Sequence, residues 1–324
     1  MEFAEILDVI NKSESFIITS HIMPDGDSVG SLLAMTLFLE GLGKNVIPMV
    51  RDPIPKRYLF LPGSEDIQKA CDEFSDVVIC LDSGDEERLG LDQPVRKYGS
   101  RVINIDHHKT NDMFGDINYV DSKASSTGEI LYDLISVRSG IDLNIALCLY
   151  TAIVTDTGSI RYSNTSPKTL KILSHLLEIG VKPDLVSRNV FENKSPEAIS
   201  LLKAFLDTIE FHANGAIALS HLTQKMIDSA GAQEDDCDGL INWPRQIRGV
   251  EIAAFLRQIE DKVIKVGLRS NGKMDVSKIA KAYQGGGHAK AAGFTLNTTL
   301  DRAELLVART LQEYLERDAI GRNN

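Results

Sequence analysis

Short apolar runs alternate with longer segments of helical periodicity along the first half of the chain. Four runs are apolar at nearly every position, which is typical of strands buried on both faces of a mainly parallel sheet. These predicted strands are Ser15–Ser20, Asn45–Val50, Asp76–Leu81 and Arg101–Ile105. Between the first two, leucines at helical spacing predict a helix over Ser28–Leu42, with glycines at its end. The pattern indicates an α/β domain with helices on both faces of its sheet.

A second group of elements follows a change of composition near Asn193-Lys194-Ser195-Pro196. Before this point, further helices are predicted at Ser126–Ser136, Asn144–Val154, Lys168–Ile179 and Pro183–Phe191. After it, the predicted strands are Gly215–His221, Val250–Gln258 and Val263–Arg269, and the predicted helices are Glu197–Ile209, Gln224–Ala230, Gly239–Gln246, Val276–Tyr283 and Asp301–Arg317. The short charged turn between the last two strands predicts an antiparallel hairpin. We therefore expect a domain over residues 1–190, a helical linker over 191–210 and a smaller α/β domain with a mixed sheet over 211–324.

Composition narrows the class of protein. A chain of 324 residues with 43% hydrophobic content can bury two cores. No apolar stretch approaches the roughly 18 to 20 residues of a membrane span, and the N-terminus is acidic where a secretion signal is basic, so we expect a cytoplasmic protein. The four cysteines form no Cys-x-x-Cys pair, which fits a reducing compartment. A net charge of −11 argues against a protein that coats nucleic acid, but permits a small phosphorylated substrate in a metal-lined pocket.

Carboxylates and histidines gather at four points of the first half. The four points are His21-Ile22-Met23-Pro24-Asp25-Gly26-Asp27, Asp82, Asp106-His107-His108 and Thr155-Asp156-Thr157-Gly158. Three of them directly follow predicted strands, and the carboxyl ends of parallel strands meet at one edge of a sheet. The best-placed side chains are four carboxylates and two imidazoles, which would nearly neutralise two divalent cations. The sequence therefore predicts a dinuclear metal hydrolase, with Asp82 as the bridging carboxylate.

Each cluster alone has an ordinary structural interpretation. The Asp25-Gly26-Asp27 segment is typical of a polar turn that caps a helix, and Asp82 could be part of a turn. A purely structural role for all the clusters together is much less plausible, because each is expected at the same crevice along the sheet edge. Imidazole among carboxylates favours Mn²⁺ as the metal, with Co²⁺ and Mg²⁺ as the alternatives for both ions.

The four segments, in this order, resemble the DHH phosphoesterase superfamily, which is named for the triplet found here at Asp106-His107-His108. In the second half, Gly285-Gly286-Gly287-His288-Ala289-Lys290-Ala291-Ala292-Gly293 is similar to the signature of the associated DHHA1 domain. A chain of these two domains is most similar to the NrnA-type members, which are oligoribonucleases that also dephosphorylate 3′-phosphoadenosine 5′-phosphate (pAp).

The resemblance implies a role for each matching residue. The ligands of one metal would be His21, Asp25 and Asp82, and those of the other would be Asp27, Asp82, His107 and Asp156. His108 is then expected beside the scissile phosphate, with Asp106 orienting an imidazole. Substrate contacts in the second domain would come from Arg269, Gly285, Gly286, Gly287 and His288.

These features predict two-metal hydrolysis of short single-stranded RNA, from di- to pentanucleotides, and of pAp, in a cleft between the domains. Hydrolysis of linear or cyclic di-adenosine messengers stays an alternative, because the same machinery could perform it. A family II pyrophosphatase would lack the glycine-histidine signature. A nucleotide-binding sensor or scaffold would tolerate lost ligands, so the complete ligand set argues against it. A homodimer, the substrate ranking and the polarity of attack on RNA stay open.

Four other features of the sequence receive a simpler interpretation. Ser126-Thr127-Gly128-Glu129 matches a helix capping box. Trp243 is expected in the core rather than as a platform on which a base stacks. The spacing of Arg161 and Arg248 assigns no role to either residue.

Overall fold

The computed structural model describes residues 3–322 apart from residues 139, 238 and 273, and only the backbone of residues 288 and 318–322. The chain divides into two compact units, Met1–Asn193 and Lys194–Asn324. Each unit has a hydrophobic core of its own. Within the described residues, no helix combines the length and the apolar character that a membrane crossing requires.

The first unit is built on a five-stranded sheet with the order β2-β1-β3-β4-β5. The strands are β1 (Ser15–Ser20), β2 (Asn45–Met49), β3 (Ser75–Leu81), β4 (Gly99–Asp106) and β5 (Ile117–Val120). All neighbouring strands run parallel, which confirms the predicted α/β fold for this unit. The chain places β2 on one side of β1 and β3 on the other, so β1 and β3 flank a switch point, where such sheets form a crevice.

Helices and short turns cover the two faces of this sheet. The helices are α1 (Ala4–Lys12), α2 (Gly26–Gly41), α3 (Thr127–Arg138), α4 (Leu143–Asp156), α5 (Pro167–Ile179) and α6 (Pro183–Val190). All six contribute side chains to the larger core cluster. On the opposite face, Leu89 and Val95 from two 3-10 helices pack against Ile17 and Val78 of the sheet.

Two glycines of α2 allow this helix to approach α4 closely. A Cβ atom at Gly30 would lie 2.5 Å from a backbone carbonyl oxygen of α4, and one at Gly26 would lie 2.4 Å from the side chain of Thr155. Both distances are far below van der Waals contact, so a larger residue would push the helices apart. The close packing brings the start of α2, with Asp27, to the end of α4, with Asp156.

The second unit contains a six-stranded sheet with the order β10-β11-β9-β8-β7-β6. The strands are β6 (Glu210–His212), β7 (Ile217–Leu222), β8 (Ile252–Glu260), β9 (Val263–Ser270), β10 (Gly286–His288) and β11 (Ala291–Leu296). β7 and β8 run parallel and the other neighbours antiparallel, which confirms the predicted mixed sheet and the β8–β9 hairpin.

Helices pack on both faces of this second sheet. They are α7 (Pro196–Leu206), α8 (Gln224–Ala230), α9 (Asn242–Arg245), α10 (Val276–Ala282) and α11 (Leu300–Arg322). α10 and α11 share the main core with the strands, while α7 and α8 pack on the other face around Phe205 and Leu222. α7 lies within the segment that the sequence predicts as a linker.

Some elements differ from the sequence prediction. The helix predicted over Gly239–Gln246 is only the single turn α9, because Gly239 has a φ of 77° and Pro244 has no N–H to extend a helix. Trp243 is 47% exposed, so its predicted place in the core is wrong. The sequence prediction also missed α1, β5, β6, β10 and β11, which are mostly short.

Candidate metal centre

Side chains from distant parts of the sequence converge at the carboxyl edge of the first sheet. His21 follows β1, Asp82 follows β3 and Asp106 ends β4. Asp27 lies in the first turn of α2, and Asp156 is the last residue of α4. Because parallel strands deliver their carboxyl ends to one edge, these segments meet in space.

Asp82 lies in the middle of this cluster, and its two carboxylate oxygens face different imidazoles. Oδ2 is 3.5 Å from Nε2 of His21, and Oδ1 is 3.6 Å from Nε2 of His107. The residue has a φ of 56°, a left-handed conformation that Asp tolerates better than most residues. The hydroxyl of Thr127 donates to Oδ1 at 3.0 Å and fixes the carboxylate. A carboxylate placed in this way can bridge two cations.

One group of candidate ligands consists of His21, Asp25 and Asp82, whose donor atoms all lie within 4.8 Å of one another. Nε2 of His21 is 3.9 Å from Oδ1 of Asp25. Nδ1 of His21 lies 2.7 Å from the main-chain carbonyl oxygen of Ile22. Because a carbonyl oxygen can only accept, Nδ1 is the protonated nitrogen and Nε2 has the lone pair that a metal needs.

A second group consists of Asp27, His107 and Asp156, again with all donor atoms within 4.8 Å. Nε2 of His107 is 3.8 Å from Oδ2 of Asp27 and 3.9 Å from Oδ2 of Asp156. With Oδ1 of Asp82 beside it, this group offers three carboxylates and one imidazole. The structure thus brings together all six of the predicted metal ligands in two groups, one of which contains Asp82 while the other lies beside its Oδ1.

The amino-terminal end of α3 holds the carboxylate of Asp27. The backbone N–H of Thr127 donates to Oδ2 at 2.7 Å, and that of Gly128 donates to Oδ1 at 2.9 Å. The hydroxyl of Ser31 also donates to Oδ1, at 3.1 Å. The free N–H groups and the dipole at a helix N-terminus favour a negative charge there.

The prediction of a capping box for this segment is only half right. The hydroxyl of Ser126 accepts the backbone N–H of Glu129 at 3.1 Å, as a cap should. The carboxylate of Glu129, however, accepts hydrogen bonds from the hydroxyls of Ser125 and Thr169. The hydrogen bonds from α3 to Asp27 could not be predicted, because backbone donors leave no signature in a sequence.

Asp106 orients His108 through a buried hydrogen-bond network. Its Oδ1 lies 2.7 Å from Nδ1 of His108, and its Oδ2 accepts from the amide of Asn111 at 2.6 Å. The same amide nitrogen of Asn111 also contacts Oδ1 of Asn104 at 2.8 Å. His108 is also 3.8 Å from Asp82, but its Nδ1 faces Asp106 more closely. The donor atoms of Asp82, His107 and His108 also lie within 4.8 Å of one another, so His108 borders the metal centre while Asp106 fixes its ring.

Asn111 and Asn164 are functional candidates that the sequence analysis missed. The amide of Asn164 donates to Oδ2 of Asp156 at 3.1 Å and to the main-chain oxygen of Ser125 at 2.8 Å. It therefore ties the carboxylate at the end of α4 to the segment before α3. Both asparagines follow a ligand motif by a few residues, but an Asn in a loop is too common to be a signal by itself.

The carboxylates repel one another in the absence of a cation. Burial raises the pKa of Asp27 well above its ordinary value, and the charges of Asp82, Asp156 and Asp25 raise it further. Burial, together with the charge of Asp82, likewise raises the pKa of Asp156 to about 6. For Asp82 the effect of burial is outweighed by His21 and His107, which lower its pKa to about 2.

His108 is held in its charged form by the same surroundings. Burial alone would lower its pKa, but the hydrogen bond to Asp106 and the charge of Asp82 raise the pKa to about 9. Four carboxylates together with two imidazoles that bind a metal once they lose a proton are the donor set that a divalent cation of the Mn²⁺ class prefers. The side chains present therefore fit two divalent cations.

Two of the predicted substrate residues of the second unit lie on the strands that flank β11. His288 on β10 and Arg269 on β9 are the register partners of the same residue, Ala291 on β11. Gly286 and Gly287 belong to β10, so the glycine run forms a short edge strand rather than a free loop. The side chain of His288 lies outside the described part of the structure.

Comparisons with known proteins match both units. The family described as DHH family, N-terminal domain, matches residues 15–153, and the DHHA1 domain matches residues 217–317. The bifunctional oligoribonuclease and PAP phosphatase NrnA of Thermus thermophilus is 36% identical over 97% of this chain and 94% of its own length. The protein of the same name from Bacillus subtilis is 28% identical over 94% of this chain and 96% of its own.

A solved structure agrees with the fold over nearly the whole length. The crystal structure of an exopolyphosphatase-related protein from Bacteroides fragilis superposes with a TM-score of 0.89 and 28% identity. The match covers 98% of this chain and 96% of that one.

Proposed function

Because the chain belongs to the DHH family and carries a DHHA1 domain in its second unit, we propose that it is a metal-dependent phosphoesterase of the bifunctional oligoribonuclease and PAP phosphatase type. It hydrolyses short oligoribonucleotides to mononucleotides and dephosphorylates pAp to AMP. Two relatives that align over nearly their whole lengths have this pair of activities in their names.

The observation that carries this proposal is the position of Asp82. One of its oxygens faces the group of His21 and Asp25, and the other faces the group of Asp27, His107 and Asp156. A binding protein that had lost its chemistry would have no need to keep both groups complete. The arrangement suits the transfer of a phosphoryl group to water, because both the attacking and the leaving oxygen need stabilisation.

Mn²⁺ is the ion we propose for both groups, since each combines imidazole with carboxylates. Bound cations would supply Lewis acidity toward the phosphoryl oxygens and a nucleophile at neutral pH. Asp25, Asp27, Asp82 and Asp156 hold the cations by charge, and the main-chain contact of His21 fixes which of its nitrogens faces them.

His108 acts on the substrate rather than on the ions. Asp106 accepts the Nδ1 proton at 2.7 Å, so the Nε2–H of the charged ring can donate to a phosphoryl oxygen. The hydrogen bond from a charged donor that is already held in place becomes stronger as negative charge develops on that oxygen. Asn111 keeps Asp106 in position by its bond to Oδ2.

In the second unit we propose that Arg269, the glycines Gly285 to Gly287 and His288 bind the nucleotide part of the substrate. Arg269 and His288 lie on the two strands that flank β11 and pair with the same position of it. A guanidinium group is suited to a phosphate through paired hydrogen bonds.

The test is a comparison of substrates with the metal under control. Metal-stripped protein is incubated with Mn²⁺ and, separately, pAp, pApA, RNA from dimer to pentamer, a cyclic di-adenosine messenger and pyrophosphate, and kcat/KM is measured for each. We expect short RNA and pAp to be turned over best, and none in excess chelator. A clear preference for the cyclic messenger or for pyrophosphate would overturn the proposed substrates, and unchanged activity in chelator would overturn the metal centre.

A further inference from the structure

Where β9 and β11 pair, one face of the second sheet carries small residues between two basic side chains. Side chains alternate along a strand, so Lys265, Gly267 and Arg269 of β9 share the face opposite the buried Val266 and Leu268. Across β11 the register partner of Gly267 is Gly293, and that of Arg269 is Ala291. The floor of this face is therefore made of small residues, with a cation at each end about 13 Å apart.

The segment 239–250 covers the middle of this face with the side chain of Ile241. The Cδ1 atom of Ile241 would be 3.4 Å from a Cβ atom at Gly267, so the segment packs onto β9 at its middle. The side chain of Asn271, two residues after Arg269, donates to the main-chain carbonyl oxygens of Arg245 and Val250. These contacts fix α9 beside the Arg269 end of the face.

α9 presents the sole tryptophan of the chain to solvent. Trp243 is 47% exposed, although its neighbour Pro244 is buried and anchors the helix. The segment 239–250 contains Arg245 and Arg248 and no carboxylate, in a chain whose net charge is −11. A large exposed ring beside cations has the character of a surface that binds a nucleic acid strand, because bases stack on aromatic rings while cations attract phosphates.

We propose that Trp243 is a stacking platform for a base of the oligoribonucleotide, beside the Arg269 end of the β9–β11 face. This inference rests on the proposed function and adds to it a contact with a second base of the oligoribonucleotide. Arg248 contacts a phosphate of the same strand.

The proposal separates substrates by length. A substrate with one nucleotide, such as pAp, has no second base to place on Trp243. A pentaribonucleotide does, and the loss of one stacked base should raise its KM by about tenfold. Trp243→Ala should therefore raise KM for the pentamer and leave that for pAp unchanged, while Trp243→Phe should retain most of the pentamer affinity.

The matched control is Phe211→Ala, since Phe211 is 54% exposed on β6 at the opposite edge of the same sheet. This variant should leave KM unchanged for both pAp and the pentamer. Equal losses for pAp and the pentamer in Trp243→Ala would overturn the proposal, because they would assign Trp243 to general substrate capture or to the fold. An unchanged pentamer KM would overturn it as well.

A second measurement tests the contact directly and does not depend on turnover. With Ca²⁺ in place of Mn²⁺, the fluorescence of the single tryptophan is recorded as adenosine pentaribonucleotide or pAp is added to the full-length protein. Saturable quenching by the pentamer alone supports the stacking contact, and no change with the pentamer overturns it. If the unmodified protein with Mn²⁺ hydrolyses neither substrate, the proposed function fails, and the fluorescence result still decides whether Trp243 binds RNA.

Discussion

Replacing Asp156 with Asn should stabilise the metal-free protein while removing much of its response to Mn²⁺. The pKa of Asp156 is raised from its ordinary value of 3.8 to about 6 by burial and by the charge of Asp82. The ionised carboxylate therefore destabilises the folded state at neutral pH, by about 3 kcal/mol if the whole displacement counts. Because 29% of the side chain is exposed and the group is coupled to other carboxylates, we expect about 1–2 kcal/mol.

The sign of the pH dependence follows from the same displacement. Below about pH 4 the carboxyl is protonated in both the folded and the unfolded state, and above about pH 6 it is ionised in both. The stability of the metal-free protein should therefore fall as the pH rises through this interval. In Asp156→Asn, the part of this fall in stability that comes from Asp156 should be absent. The amide of Asn164, which bonds to Oδ2 at 3.1 Å, can donate to the new amide oxygen in the same way.

The assay is the free energy of unfolding from urea titration, measured with chelator and with saturating Mn²⁺ at several pH values. Mn²⁺ should raise the free energy of unfolding of the original protein, and it should raise that of Asp156→Asn much less. The exposed carboxylate of Asp72, on a loop of the same unit, gives the matched control Asp72→Asn, which should change neither quantity. A metal-free Asp156→Asn protein that is less stable than the original would refute the reasoning.

Three further substitutions test other parts of the site. Asp82→Asn keeps the shape of the side chain but removes its charge, so turnover should fall at least about 100-fold while the circular dichroism spectrum is retained; near-normal Mn²⁺-dependent turnover would exclude a shared carboxylate. Asn111→Ala should lower kcat about tenfold or more with Mn²⁺ binding unchanged, because Asp106 and His108 lose their alignment; weakened Mn²⁺ binding would instead place Asn111 in support of the metals. Gly30→Ala should lower the free energy of unfolding by about 2 kcal/mol or more, whereas Gly41→Ala, at the open end of the same helix, should be neutral or slightly stabilising. Equal effects of the two substitutions in thermal unfolding would contradict the close packing of α2 and α4.

The strands of the first sheet could be predicted well because their physical signal is strong. Ser15–Ser20 is apolar or small throughout and is a strand with the predicted bounds. Once the sheet is parallel, the meeting of the segments after β1, β3 and β4 follows from topology. That is why a cluster of metal-type ligands could be predicted from residues as distant as His21 and Asp106, whereas Asp156 reaches it through the packing of α4 on α2.

What the sequence could not predict depends on contacts without a side-chain signature. The N–H groups of Thr127 and Gly128 bind Asp27, but every helix N-terminus has such groups. The strand β10 has weak strand propensity because it is rich in glycine, and only its pairing with β11 makes it a strand. Trp243 was assigned to the core by its residue type, whereas the break at Gly239 and Pro244 leaves it on a short, exposed helix.

The central claim is that Asp82 joins two cations in one centre on which hydrolysis of short RNA and pAp depends. The most direct measurement is a titration of metal-stripped protein with Mn²⁺, in which bound Mn²⁺ per chain and turnover of a trinucleotide RNA and of pAp are followed in the same samples. The account predicts that activity toward both substrates saturates as the second Mn²⁺ binds. Full activity with one Mn²⁺ per chain, or in the presence of excess chelator, would contradict it.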